Sequence, residues 1–204
     1  MNKLITATIF LFLNVTFSHG QSASEYNDLG VKKGKLQDFQ GAISEFNKAI
    51  EIDPSFASAY YNRGLAKAKS QDLYGSISDF SKTIELNKKY YQAYYNRGLS
   101  KFILNDFRGA ISDFSEEIIN YPNDQKAYYN RGIARYNIDD YQNSISDFNY
   151  AIAIDPKYTK AFFNRGIVYG KLDQIDLACL DWNKAWELGD LQAFDLIKKI
   201  CNQN

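Results

Sequence analysis

The hexapeptide AYYNRG occurs at residues 59–64, 93–98 and 127–132, and AFFNRG at 161–166 differs from it only by Phe for Tyr. The copies stand 34 residues apart, and their closing glycine belongs to a longer series, Gly30, Gly64, Gly98, Gly132 and Gly166. Other columns keep the same step. Ala42, Ser76, Ala110, Ser144 and Ala178 are small; Phe46, Phe80, Phe114, Phe148 and Trp182 are large and aromatic. Pro54, Pro122 and Pro156 share a further slot, which Lys88 holds in the second unit. A fixed period of this length is the mark of stacked helical units, none of which can bury its apolar face without a neighbour.

Within one period the spacing predicts two helices. Residues 57–70 and 74–86 lack proline, carry apolar residues three and four apart, and are separated by Gln71-Asp72. Glycine and Ala/Ser where the two helices meet allow close approach, and the aromatic column fills the space beside them. These columns resemble the tetratricopeptide repeat family. With each glycine at repeat position 8, the units run 23–56, 57–90, 91–124, 125–158 and 159–190. Position 27, small in the family, is Thr83 and Glu117 in two units, and position 7 is Arg in four. The resemblance implies an all-α, right-handed superhelical solenoid of five 34-residue helix-turn-helix repeats. Gly189-Asp190 reads as a stop and an N-cap, so residues 191–204 are expected to supply a C-terminal capping helix.

At about 100° per residue, repeat positions 4, 8 and 11 of each first helix share a face. That places Tyr60, Tyr94, Tyr128 and Phe162 in the core and turns positions 2, 5, 6 and 9 the other way. The family resemblance makes this second face the concave groove. Its candidate binding residues are Tyr61, Tyr95, Tyr129 and Phe163, then Asn62, Asn96, Asn130 and Asn164, with Lys126 and Lys160 adding charge. Leu65, Leu99, Ile133 and Ile167 at position 9 read as packing. An amide side chain offers one donor group and one acceptor, the complement of a peptide backbone. Alternatively, the same Asn residues satisfy a neighbouring helix. Arg63, Arg97, Arg131 and Arg165 face an acidic column, Glu45, Asp79, Asp113, Asp147 and Asp181, and an ion-pair ladder within or between repeats is expected.

Lys plus Arg and Asp plus Glu both total 24, so no basic surface for nucleic acid is expected. Residues 1–20 combine Lys3, an apolar run over Leu4–Phe17 and small residues before Gln21. This reads as a secretion signal cut before Gln21 or after Ala23. The run falls short of the roughly 20 residues that cross a bilayer, so no stable membrane insertion is expected after cleavage. Cleavage would remove His19, the single histidine. Without it, and without a Gly-rich phosphate loop or a nucleophile–base arrangement, the chain reads as neither an enzyme nor a holder of a metal or cofactor. Cys179 and Cys201, an even pair in an exported chain, are expected to form a disulfide that pins the capping helix. The functional expectation is a periplasmic or secreted scaffold that binds a protein or an extended peptide in its groove. The alternative is a structural subunit that uses its convex face or its ends.

Overall fold

The computed structural model describes residues 21–201; the expected signal peptide, residues 1–20, lies outside them. Eleven helices and no strand occur among the described residues. They are α1 (Ala23–Lys35), α2 (Phe39–Ile52), α3 (Ala57–Lys69), α4 (Leu73–Leu86), α5 (Tyr91–Ile103) and α6 (Phe107–Asn120). The rest are α7 (Gln125–Tyr136), α8 (Tyr141–Ile154), α9 (Thr159–Lys171), α10 (Ile175–Glu187) and α11 (Leu191–Ile200). Each odd-numbered helix up to α9 pairs with the helix that follows it, and α11 closes the stack on α10.

The glycine column sets the distance between paired helices. A Cβ built on Gly30, Gly64, Gly98, Gly132 or Gly166 would lie 2.5 to 2.9 Å from the aromatic ring of the partner helix. Those rings are Phe46, Phe80, Phe114, Phe148 and Trp182, and all are buried. Ala42, Ser76, Ala110, Ser144 and Ala178 are fully buried on the partner helix. Ser76 has its Oγ 2.7 Å from Leu73 O, to which it can donate, and 2.9 Å from Ser100 Oγ, and Ser144 donates to Gly132 O, so a buried hydroxyl keeps a partner.

The turn inside each repeat is built the same way five times. Gln37, Gln71, Asn105, Asp139 and Asp173 all adopt left-handed backbone, with φ between 56° and 69°. The next residue, Asp38, Asp72 or Asp106 in the first three repeats, caps the second helix by accepting from the backbone N–H of Gly41, Gly75 or Gly109. In the fourth repeat Asn143 holds that glycine's slot. Its amide donates to Asp140 instead, and the backbone cap bond is absent.

First helices also touch one another in series, α1 with α3, α3 with α5, α5 with α7 and α7 with α9, and second helices have no comparable contact. A stack whose first helices crowd together while its second helices spread must curve toward the first helices. They therefore line the concave face, and their side chains at repeat positions 2, 5 and 6 are what a groove ligand would meet.

Candidate functional site

Position 5 and position 6 side chains are tied together from one repeat to the next. Asn96 Nδ2 donates to the Tyr61 hydroxyl at 3.1 Å, Asn130 to Tyr95 at 2.9 Å and Asn164 to Tyr129 at 3.1 Å. The first rung is different: Asn62 Nδ2 donates to Asn27 Oδ1 at 2.9 Å, because position 5 of the first repeat is not aromatic. Asn96 and Asn164 also donate to their own helix, at Gln92 O and Lys160 O. A carbonyl can only accept, which fixes which end of those amides points down the helix.

This changes the reading of the Asn column. Asn96 and Asn164 use both amide N–H groups inside the protein and Asn62 and Asn130 use one each, while Oδ1 of Asn96, Asn130 and Asn164 accepts no hydrogen bond among the described residues. The missing donor comes from tyrosine. Burial pushes Tyr61 and Tyr95 up to about 12 and raises Tyr129, so all three keep their O–H while accepting from Asn. Each rung thus leaves one O–H donor and one C=O acceptor side by side.

The same ladder explains why the fourth hexapeptide departs from the others. Tyr61, Tyr95 and Tyr129 each precede a repeat that supplies Asn, whereas the residue 34 beyond Asn164 is Lys198. Phe163 has no amide to serve and carries no hydroxyl. The position 5 rings also pack on the core column, Tyr61 on Phe80, Tyr95 on Phe114 and Tyr129 on Phe148, with centroids 5.8 to 5.9 Å apart. Core and groove are therefore not separate faces here. Adjacent positions 4 and 5 straddle the glycine. Of the position 4 rings assigned to the core, Tyr128 is buried, while Tyr60, Tyr94 and Phe162 are only half-buried beneath Arg63, Arg97 and Arg165.

The arginines pair inside a repeat and reach across to the one before. Arg63, Arg97, Arg131 and Arg165 hold Asp79, Asp113, Asp147 and Asp181 through Nε and Nη2. Nη1 of each goes to the preceding second helix, at Asn47, Ser81, Ser115 and Asn149. Lys67, Lys101 and Arg135 give three of these aspartates a second cation. In the first repeat, where Leu29 replaces Arg, Lys33 and Lys48 bind Glu45 and hold its carboxyl below the usual range. The Arg row is thereby occupied and turned to the second helices, so it offers no free anion site.

Two depressions lie along the concave face. One, of about 660 Å³, is lined by Tyr61, Tyr95, Asn96, Glu117, Asp124 and Lys126. The other, of about 640 Å³, is lined by Tyr129, Lys160, Phe163, Asn164, Asp190 and Leu191. Most residues singled out in the sequence thus fall into two clefts. Asn130 lines neither, and Asn62 faces a smaller apolar pocket of about 240 Å³ with Val31 and Leu65. Lys126 and Lys160 are exposed at the rims. Sequence reasoning missed the polar column Asn47, Ser81, Ser115 and Asn149, although it keeps the 34-residue step, and it saw Glu117 only as a departure. Cys179 and Cys201 are disulfide-bonded with Cα atoms 5.8 Å apart, joining α10 to the end of α11. No helix among the described residues is long and apolar enough to cross a membrane.

A family model described as TPR repeat matches residues 35–71, and one described as tetratricopeptide repeat matches residues 95–159, together half of the chain. Comparison with curated proteins finds no match. Among solved structures, MamA from residue 41 onward of Desulfovibrio magneticus RS-1 superposes with a TM-score of 0.80 at 20% identity, covering 83% of this chain and 96% of that one. A crystal structure of MamA gives 0.78 at 25% identity, over 81% and 97%. YrrB, described as a TPR protein with an unusual peptide-binding site, gives 0.79 at 22% identity, over 87% and 92%.

Proposed function

The chain belongs to the tetratricopeptide-repeat family, and on that premise we propose that it is a non-catalytic scaffold, exported to a periplasmic or secreted location, whose concave groove holds an extended peptide segment of a partner protein. The observation that carries this reading is the ladder. Each rung leaves a tyrosine O–H donor next to an asparagine Oδ1 acceptor, the complement of one peptide group. First helices of neighbouring repeats lie roughly 10 Å apart and an extended peptide rises about 3.3 Å per residue, so one rung meets every third residue. A peptide-binding site described for YrrB, a protein of the same fold, agrees with such a use of this architecture. Export rests on residues 1–20 and on the disulfide, which persists in oxidising compartments.

Peptides selected on the protein from a random library test the groove. Tyr61→Phe/Tyr95→Phe removes two donors with little change in shape, and is expected to weaken them at least about tenfold while circular dichroism stays unchanged. A second reading, assembly through the solenoid end, draws on Leu180, Leu191 and Phe194, which are 66%, 79% and 48% exposed. Ligands that bind the tyrosine variant normally and lose affinity for Leu180→Asp/Leu191→Asp would establish that reading in place of the groove.

A further inference from the structure

Glu117 is 5% exposed, yet neither of its carboxylate oxygens accepts a hydrogen bond among the described residues, and Oε2 is fully buried. Nothing in the fold calls for an acid at this place. The equivalent residues are Ala49, Thr83, Ala151 and Ala185, all 0% exposed, and Thr83 satisfies its hydroxyl on Asp79 O. A buried carboxylate without a partner is destabilising, and it is the kind of group that a ligand can complete. Glu117 lines the cleft of about 660 Å³, on the side where peptide would lie. Around it stand Tyr61 on α3, Tyr95 on α5, Asp124 and Tyr121 in the α6–α7 loop, and Lys126 on α7. Two acids flanked by tyrosine rings make a setting for a cation, which gains from the carboxylates by charge and from the ring faces by their quadrupoles.

We infer that this cleft is a subsite for a cationic side chain of the bound peptide, a lysine ammonium or arginine guanidinium, seated on the Glu117 carboxylate. The inference rests on the groove reading above and gives the ligand a required feature: a basic residue that reaches the wall between the third and fourth repeats. Burial, with Asp124 second, raises the Glu117 carboxyl to about 7, so the empty site holds a proton near neutrality. The entering cation displaces that proton, and binding therefore weakens about tenfold for each pH unit below this value. The rim ammonium of Lys126 is the competing occupant from the protein itself.

The test uses n-butylammonium and n-butylguanidinium as side-chain probes, with n-butanol as the neutral control. The Glu117 carboxyl carbon is followed by NMR in the labelled full-length protein. Near pH 8 the cations are expected to shift this resonance saturably and, across a pH series, to lower its titration midpoint by about one unit or more. Followed on the Tyr61 and Tyr95 ring resonances of the same cleft, they are expected to bind at least about tenfold less well to Glu117→Gln and Glu117→Ala. The alanine variant restores the residue found in three other repeats, so it keeps the assay valid if the glutamine variant folds poorly. Equal binding to both variants, equal binding of butanol, or no saturation up to about 100 mM overturns the inference. So does an ordinary Glu117 midpoint that rises in Lys126→Ala, which would make Lys126 the occupant. Selected peptides that depend on Tyr61 and Tyr95 but not on Glu117 remove this subsite and leave the groove. Butylammonium binding without any groove-dependent peptide does the opposite.

Discussion

Glu117 shows what a single departure from a repeat pattern costs and what it can be for. Its carboxyl is raised from an ordinary value of 4.5 to about 7, first by desolvation and then by Asp124. The unfolded chain releases this proton near the ordinary value, while the folded chain keeps it to about pH 7. Between those values the folded state binds more protons, so stability falls as pH rises and the loss is complete above the folded value. Glu117→Gln removes the titration. Its expected gain is absent below about pH 4.5 and reaches roughly 1–3 kcal/mol at pH 8, since water in the open cleft keeps it under the full effect of the shift. Urea unfolding of both proteins at several pH values measures this. A gain that does not vary with pH would mean that the charge is not the cause.

At the scale of the helix, the hydroxyls of the hexapeptide act between elements. Tyr129 ties α7 to α9 by accepting from Asn164, and Phe163 on α9 has no counterpart to reach on α11. Tyr129→Phe leaves one amide hydrogen of Asn164 without its partner and is expected to cost about 0.5–1.5 kcal/mol. The converse change, Phe163→Tyr, adds a hydroxyl with no rung to complete and is expected to alter stability by less than about 0.5 kcal/mol. Denaturant midpoints compare the two, and equal effects would dissolve the ladder. The helix ends were legible in the primary structure. Gln71-Asp72 was read as the break between two helices, and Asp72, like Asp38 and Asp106, is the N-cap whose carboxylate accepts a backbone N–H of the first turn. The left-handed Gln37 and Gln71 before them were less legible, because glutamine gives no local sign of positive φ.

For the whole molecule, stability is transmitted from neighbour to neighbour, since α1 and α11 share no contact and every repeat leans on the next. The last helix is therefore expected to open most easily, with Leu191 and Phe194 exposed and α10 as its main neighbour. The Cys179–Cys201 bond closes a segment of 22 residues across that pair, and its removal is expected to cost about 3 kcal/mol. The loss should stay local. Hydrogen exchange after reduction is expected to show faster exchange through α10 and α11 with α1 to α4 unchanged. Uniform acceleration along the chain would instead make this a single cooperative unit.

The 34-residue step, with the three- and four-residue apolar spacing inside each period, determined the stacked helix pairs and the glycine–aromatic contact, and Gly189-Asp190 marked the cap. Each of these follows from spacing within one short segment, where propensity, capping and volume act locally. Only the tertiary structure decided which column meets which. Arg97 could have served Asp79 or Asp113 and takes Asp113, while its Nη1 goes back to Ser81. Asn96 could have faced a ligand with both ends of its amide and instead spends its N–H groups on Tyr61 and Gln92. Every column in this chain repeats with the same period, so the period carries no information about the offset between columns. That offset is set by the angle and rise at which the helices stack. The same stacking sank Glu117 beneath the groove floor, where its burial, and not its identity, makes it a candidate for binding.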